Sequence, residues 1–196
     1  ERPLEVSADK CRAMIAAAER GNALLMTAYR LHFEPANLDA VRRIRAGELG
    51  ELVAFTSCFG QMVDPANHRS RSGIEAGPLF DMAPYPINAI RFLFGAEPWE
   101  VVSAIAVRHE EAGLGELDDT IAVTLRMPGN RLAQFTVSYF TDQIDNLTIA
   151  GTKGSIHMDS AFGYGQGLEQ FRKSSGNREH EVYKATDQFG GELKYF

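Results

Sequence analysis

Cysteine is scarce in this sequence, and several other features are missing from it. There are only two cysteines, Cys11 and Cys58, in a chain of 196 residues. A chain of this length can bury a hydrophobic core without disulfides, so we interpret both residues as reduced thiols and expect a cytoplasmic protein. No apolar run reaches the roughly 18–20 residues that a membrane span needs, and the first residues do not resemble a secretion signal. We therefore expect no membrane partner.

An excess of positive charge is missing as well. The formal net charge is −6, whereas proteins that bind nucleic acids normally present a basic surface to the phosphates. We therefore expect no nucleic-acid partner. The five histidines lack the short spacings of metal sites, so we expect no metal. The glycine-rich run at 163–167, GYGQG, does not join a buried strand to a helix, and it is interpreted as a connection, not a phosphate-binding loop.

Hydrophobic patterns divide the chain into two parts. An amphipathic helix in residues 1–20 and a short apolar run at 23–28, ALLMTA, are typical of a helix followed by a buried parallel strand. Further helices are predicted at 36–46 and 86–94. A strand is predicted at 51–62, and the chain after Gly95 is rich in strand patterns joined by tight turns, so those strands should be antiparallel. The expected fold is α+β, a predominantly antiparallel open sheet with helices on one face.

The predicted strands are 51–62, 99–107, 119–127, 132–139, 147–150, 155–158, 168–171 and 181–183. Apolar residues at adjacent positions from Phe135 to Phe140 suggest that both faces of the sheet carry apolar groups. That pattern favours a homo-oligomer formed through the open sheet face.

The residues of greatest chemical interest lie in the stretch 76–95, AGPLFDMAPYPINAIRFLFG. Asp81 and Tyr85 are four residues apart, which on a continuous helix would place their Cβ atoms about 5–6 Å apart on one face. The prolines at 84 and 86 instead allow a break, with a second helix start at Pro86. The alternative to a catalytic pair is that Asp81 caps a helix and Tyr85 packs in the core.

Several of these segments, in this order and spacing, resemble one known family. They are the opening Glu1-Arg2-Pro3, the run ending in Tyr29-Arg30, the turns GELG at 47–50 and GTKGSI at 151–156, and AGPLFDMAPYP at 76–86. Together they resemble the glucose–fructose oxidoreductase/inositol dehydrogenase (Gfo/Idh/MocA) family. The resemblance covers nearly the whole chain.

The resemblance implies a fold and an activity. Residues 1–29 would be the last helix and strand of a Rossmann domain that binds NADP or NAD. Residues 30–196 would be the substrate-binding and oligomerisation domain, similar to the C-terminal domain of dihydrodipicolinate reductase. The implied reaction is hydride transfer between the nicotinamide and a sugar or polyol, and the 196 residues alone are expected to be inactive because the glycine-rich dinucleotide fingerprint is missing.

The resemblance also implies roles for individual residues. Asp81 and Tyr85 match the family's catalytic carboxylate and proton donor, while Arg2 stands where the family's Glu-Lys-Pro motif has lysine. A guanidinium remains charged and cannot relay a proton, so Arg2 could only hold an oxygen or stabilise a phenolate. As a base, Tyr85 would need a nearby cation. Expected substrate contacts are His68, Arg69, Arg71 and Asn88, and expected cofactor contacts are Glu1, Arg2, Pro3, Tyr29 and Arg30.

Two other functions remain open at this point. The replacement of lysine by Arg2 would also suit a non-catalytic ligand-sensing or regulatory protein of the same fold, because a scaffold does not determine function. A free-standing interaction module would require that residues 1–28 fold without a preceding domain.

Overall fold

The computed structural model describes residues 3–71 and 76–196, so the expectations for Glu1 and Arg2 lie outside the described residues. The helices are α1 (Ala8–Arg20), α2 (Pro35–Arg45), α3 (Pro78–Asp81), α4 (Pro84–Phe94) and α5 (Gln188–Tyr195). Short 3₁₀ turns occur at Arg30–Phe33, His68–Ser70 and Glu110–Ala112. The strands are β1 (Leu52–Gly60), β2 (Glu100–Val107), β3 (Thr120–Met127), β4 (Arg131–Ser138), β5 (Ile144–Gly151), β6 (Gly154–Asp159), β7 (Leu168–Ser174) and β8 (Asn177–Tyr183).

The eight strands form one sheet in the order β2-β3-β4-β1-β5-β6-β7-β8. Every neighbouring pair is antiparallel except β1 and β4, which run parallel with Phe55 opposite Ala133. The first strand therefore lies in the middle of the sheet, between hairpins that come much later in the chain. The prediction of a predominantly antiparallel α+β fold is confirmed.

One face of the sheet forms the core with α2 and α4. Alternate residues of the central strands are buried on that face, because side chains of a strand alternate between its two sides. They include Phe55, Phe135, Val137, Leu147 and Ile149. On the helices, the buried residues include Ala36, Ala40 and Val41 of α2 and Ile90 and Leu93 of α4.

The opposite face of the sheet is open and largely polar at its centre. Thr56 of β1 lies between Gln134 of β4 and Thr148 of β5 in the strand register. Phe135, Val137 and Tyr139 are two apart in sequence and all three are buried, so these three residues supply apolar groups to one face only. The apolar groups of the open face come from other positions, such as Leu132, which lies opposite Ala54 of β1 and is 46% exposed.

The first part of the chain differs from the prediction. Helix α1 is present, with Ser7 accepting a hydrogen bond from the Lys10 amide as its cap, but none of its residues is buried. Residues 23–29 form no strand in the described part of the chain, and Leu24 is 77% exposed. A strand buried on both faces needs a neighbour on each side, so the predicted buried strand does not form within the described part of this chain. No helix in residues 3–71 and 76–196 is long and apolar enough to cross a membrane.

Candidate active site

The segment that carries Asp81 and Tyr85 is two helices, not one. Gly77 precedes the first helix as its N-cap at φ +89°, a backbone conformation that glycine adopts without a Cβ penalty, and α3 runs from Pro78 to Asp81, a single turn. Met82 and Ala83 separate it from α4, which begins at Pro84 and not at Pro86. The break that the prolines allowed is therefore present, and the spacing rule for a continuous helix does not apply to this pair.

Asp81 is held from two directions. The Tyr139 hydroxyl, just after β4, donates a hydrogen bond of 2.9 Å to Asp81 Oδ2, and Arg69 Nε lies 3.3 Å from the same oxygen. The Asp81 side chain is 22% exposed and that of Arg69 is 47% exposed. The carboxylate thus has a buried neutral donor on one side and a cation near solvent on the other.

Tyr85 lies at the start of α4 and is buried. Its ring makes an edge-on contact with Phe59, with centroids 5.4 Å apart, and a tilted contact with Phe162 at 6.0 Å. Arg30 Nη2 donates to the phenol oxygen over 3.4 Å. Tyr85, Tyr29, Arg30, Phe189 and Glu192 border a small cavity of about 60 Å³. The phenol therefore sits beside a cation at the wall of a cavity large enough for about one or two water-sized groups.

Arg30 connects four parts of the chain. It belongs to the 3₁₀ turn before α2, and besides Tyr85 it donates to the carbonyls of Phe162 and Gly163 and to the side chain of Gln188. Gln188 in turn donates to Glu34, a buried carboxylate. Because Arg30 is itself buried, these acceptors stabilise a charge that would otherwise be costly away from water.

Asp145 is a half-buried carboxylate next to this cluster, and its Oδ2 atom is out of contact with solvent. Its Oδ1 accepts a hydrogen bond of 2.8 Å from the Phe162 amide. Burial raises the pKa of Asp145 to about 6, and the Phe162 and Gly163 amides and the positive charge of Arg30 only partly oppose that rise. Asp145 is therefore an acidic group whose charge changes close to neutral pH.

The remaining predicted site residues are spread more widely. His68 and Arg71 are exposed at the 3₁₀ turn before α3, and Pro3 lies ahead of α1. Asn88 Oδ1 is 2.8 Å from His32 Nε2, and the His32 ring stacks on Phe92 at 4.3 Å. The structure brings Arg69 to Asp81 and Arg30 to Tyr85, and it places Asn88 with His32.

Tyr29 borders two openings. It lines the small cavity at Tyr85 and also a groove of about 600 Å³, whose walls include His32, Phe92 and Tyr195. Within the described residues, no group of three or more His, Cys, Asp or Glu side chains is arranged to hold a metal ion, and Cys11 and Cys58 are unpaired.

Sequence reasoning missed Tyr139, Gln188 and Asp145. Tyr139 was predicted to be the last residue of a strand, and a residue at a strand end can face a site. No sequence pattern, however, indicated a contact between Tyr139 and Asp81. Asp145 and Gln188 are more than 100 residues from Arg30, and no local pattern predicts a contact at that separation.

Comparison with known proteins agrees with this architecture. Trans-1,2-dihydrobenzene-1,2-diol dehydrogenase from Bos taurus is 33% identical over 160 residues, which cover 81% of this chain and 46% of the relative. D-xylose 1-dehydrogenase [NADP(+)] from Haloarcula marismortui is 29% identical over 203 residues, which cover 100% of this chain and 56% of the relative. The chain thus spans about half the length of the curated relatives it matches.

Solved structures share the fold. Aldose-aldose oxidoreductase from Caulobacter crescentus, complexed with glycerol, superposes with a TM-score of 0.89 at 28% identity over 98% of this chain and 58% of that one. The 3-ketoreductase KijD10 from Actinomadura kijaniata, in complex with NADP and TDP-benzene, has a TM-score of 0.88 at 22% identity over 99% and 59%.

A sequence model of the GFO/IDH/MocA C-terminal domain matches residues 37–157, from α2 through most of β6. This range holds more than half of the chain, including Arg69, Asp81, Tyr85 and Tyr139. The chain therefore belongs to the Gfo/Idh/MocA family.

Proposed function

We propose that this chain is the substrate-binding part of an NAD(P)-dependent oxidoreductase that transfers a hydride between the nicotinamide and a sugar or polyol. The observation that carries the proposal is the Tyr85 phenol, which is buried at the wall of a cavity with Arg30 at its oxygen. A positioned phenol of this kind is a general acid or base. The names of the relatives support the same chemistry: one is a diol dehydrogenase, one an NADP-dependent xylose dehydrogenase and one an aldose-aldose oxidoreductase.

In the reduction of a carbonyl, Tyr85 would donate its hydroxyl proton to the substrate oxygen, giving an alcohol. In the oxidation of a carbinol, the phenolate would accept the hydroxyl proton. The bound nicotinamide would supply or receive the hydride at the same carbon. Asp81, held by Tyr139 and Arg69, would accept a hydrogen bond from a substrate hydroxyl and so orient it.

The residues present fit such a cofactor only in part. The glycine-rich loop that would hold the pyrophosphate is not in this sequence, so this chain alone would not bind the dinucleotide. We assign residues 1–29 to the dinucleotide-binding domain and residues 30–196 to the substrate domain. The support is that 23–29 has no sheet partner among the described residues and that Leu24 is largely exposed, as expected for a strand whose neighbours belong to another domain. Of the expected cofactor contacts, Tyr29 and Arg30 both border the cavity at Tyr85, and Tyr29 would face the nicotinamide there.

The test uses the full-length protein, which on this proposal joins this chain to a dinucleotide-binding domain. Binding of NADP and NAD is measured by nicotinamide fluorescence, and a panel of aldoses, polyols and vicinal diols is screened for formation of the reduced cofactor. We expect turnover of at least one class. Binding of a sugar without cofactor binding or turnover would refute the enzyme and favour a ligand-sensing protein of the same fold.

Tyr85→Phe removes only the hydroxyl. We expect kcat to fall by roughly 10²-fold or more, with little change in cofactor affinity, because proton transfer is lost while packing is retained. Tyr195→Phe, at an exposed tyrosine of α5, is the matched control. Equal activity of the two variants would assign Tyr85 to packing alone.

The proposal also includes a homo-oligomer formed through the open sheet face and a cytoplasmic location. The unpaired thiols of Cys11 and Cys58 agree with a reducing compartment. The open sheet face offers an isologous surface to a second copy.

A further inference from the structure

Arg30 is unusual because it is a charged side chain with only 8% of its surface exposed. Each of its terminal nitrogens makes two hydrogen bonds. Nη1 donates to the Gly163 carbonyl at 2.9 Å and to Gln188 Oε1 at 2.6 Å, while Nη2 donates to the Phe162 carbonyl at 2.6 Å and to Tyr85 Oη at 3.4 Å. A guanidinium presents its donors in a rigid, planar fork, so these acceptors fix its position and its orientation together.

The loop that holds Arg30 is itself anchored on the other side. The Phe162 carbonyl accepts from Arg30, while the Phe162 amide donates to Asp145. A buried cation and a half-buried acid therefore lie on opposite sides of the same backbone segment. On the α5 side, Gln188 accepts from Arg30 through its oxygen and donates to Glu34 through its nitrogen, which fixes the orientation of the amide. The position of the Arg30 guanidinium is thus fixed from both the 162–163 loop and α5.

The contact with Tyr85 has a defined direction. Arginine has donors and no acceptor, so the phenol oxygen accepts from Arg30 and the phenol hydrogen must be directed elsewhere. The guanidinium carbon lies 5.5 Å from the centre of the Tyr85 ring, and Phe59 packs against that ring edge-on. Both the ring and the oxygen of Tyr85 are therefore held in place. Because Arg30 cannot accept the hydroxyl proton, that proton points away from Arg30.

We propose that Arg30 is the positioning residue of Tyr85: by donating to the phenol oxygen it directs the hydroxyl proton toward the substrate oxygen and balances the negative charge when that proton leaves. This inference rests on the proposed function, and it replaces a direct contact with the cofactor as the main role of Arg30. It also supplies, from within the described residues, the nearby cation that a tyrosine base requires.

The experiment is a double-mutant cycle in the full-length protein, with Arg30→Gln, Tyr85→Phe and the double variant. Arg30→Gln removes the charge and keeps a polar side chain. We expect its kcat to fall by about 10–100-fold with KM changed less than about 3-fold, because the acid–base step and not substrate binding is affected. In the Tyr85→Phe background, the same change should reduce kcat by less than about 3-fold, since residues that act as a unit are not additive.

Two further variants separate this role from general structure. Arg30→Lys restores the positive charge and should recover part of kcat, and Arg45→Gln, at an exposed arginine of α2, should leave both constants unchanged. If Arg30→Gln does not fold, Gln188→Leu tests the same idea. It keeps the guanidinium and removes one acceptor that holds it, so it should lower kcat at constant KM only when Tyr85 is present.

Additive losses in kcat, or a loss of Arg30→Gln activity that appears mainly in KM, would overturn the inference while leaving the oxidoreductase proposal intact. Absence of turnover in the wild-type protein would refute the proposed function instead. In that case the double-mutant cycle is evaluated with the unfolding free energies of the wild type, the two single variants and the double variant. Non-additivity would support the Arg30–Tyr85 contact as a coupled unit, and additivity would overturn it.

Discussion

The Tyr139 hydroxyl donates a hydrogen bond of 2.9 Å to Asp81 Oδ2, across 58 residues of sequence. Tyr139 is completely buried at the end of a central strand, and its amide also donates to the Asp119 carbonyl. The carboxylate that the sequence marks as a candidate catalytic group is therefore fixed by the core of the sheet. Asp81 lies at the end of a one-turn helix, which by itself would place a side chain imprecisely.

Tyr139→Phe tests the importance of this bond. The variant keeps the ring and leaves Asp81 with one donor fewer, so we expect a loss of about 1 kcal/mol in unfolding free energy and a fall of several-fold in kcat in the full-length protein. Unfolding in urea and steady-state kinetics are the measurements. Tyr195→Phe is the control, since Tyr195 is 78% exposed. If both variants behave like the wild type, Tyr139 does not position Asp81.

A second prediction concerns Asp119, which joins β3 to the preceding loop. Burial raises the pKa of this carboxyl, but hydrogen bonds from the His109 amide at 2.6 Å, from the His109 ring at 2.8 Å and from Thr120 outweigh it and lower the pKa below its usual range. A lowered folded-state pKa contributes stability above the ordinary value near 4, and that stability is lost as the pH falls through the folded-state pKa.

Asp119→Asn should therefore cost about 1–3 kcal/mol of unfolding free energy at pH 7. The difference from the wild type should shrink as the pH is lowered below about 4, where the wild-type carboxyl also becomes neutral. Denaturant unfolding at a series of pH values is the measurement. A deficit that stays the same from pH 7 to pH 3 would show that the ionised form is not the one that stabilises the loop.

Local features of this chain were predictable because they depend on neighbouring residues. Alternating apolar residues predicted β4, and Gly95, at φ +63°, ends α4 as a left-handed cap should. The same period-two rule, applied strictly, would also have placed Phe135, Val137 and Tyr139 on one face. The break between α3 and α4 was likewise visible in Pro84 and Pro86.

The pairings that build the site were not predictable in this way. The parallel contact of β1 with β4 joins residues such as Phe55 and Ala133, and Arg30 contacts Phe162 across 132 residues. Such contacts depend on how whole elements pack, and one sequence without relatives has no periodicity that records them. Resemblance to the family singled out Asp81, Tyr85 and Arg30, but it did not indicate that Arg30 and Tyr85 touch.

A third prediction tests self-association through the open sheet face. Thr56 lies at the centre of that face, between Gln134 and Thr148. Thr56→Arg would place a long charged side chain there, and we expect it to reduce the mass in solution to that of one chain, measured by light scattering after gel filtration. Ala46→Arg, at the exposed end of α2, is the control and should leave the mass unchanged. The same mass for both variants would mean that this face is not the interface.

The last prediction uses Asp145 as a reporter of the buried cluster around Arg30. Burial raises its pKa to about 6, so the folded protein holds a proton on this carboxyl in a pH range where the unfolded chain has released it. A raised folded-state pKa of an acid means that stability falls as the pH rises from about 4 to about 6 and stays lower above that. A shift of about 2 pKa units corresponds to roughly 3 kcal/mol.

Asp145→Asn keeps an oxygen for the Phe162 amide and cannot ionise, so it should lose this fall in stability. We expect the variant to gain unfolding free energy relative to the wild type on going from pH 4.5 to pH 7.5, by an amount on the order of 2–3 kcal/mol, measured by urea unfolding at both values. The positive charge of Arg30 partly stabilises the ionised Asp145 carboxylate, and the amide introduced by Asp145→Asn cannot take part in this interaction. The gain caused by Asp145→Asn should therefore be larger in the Arg30→Gln background than in the wild-type background. An equal difference between variant and wild type at both pH values would mean that Asp145 ionises in its ordinary range, and that its surroundings in the cluster do not raise its pKa.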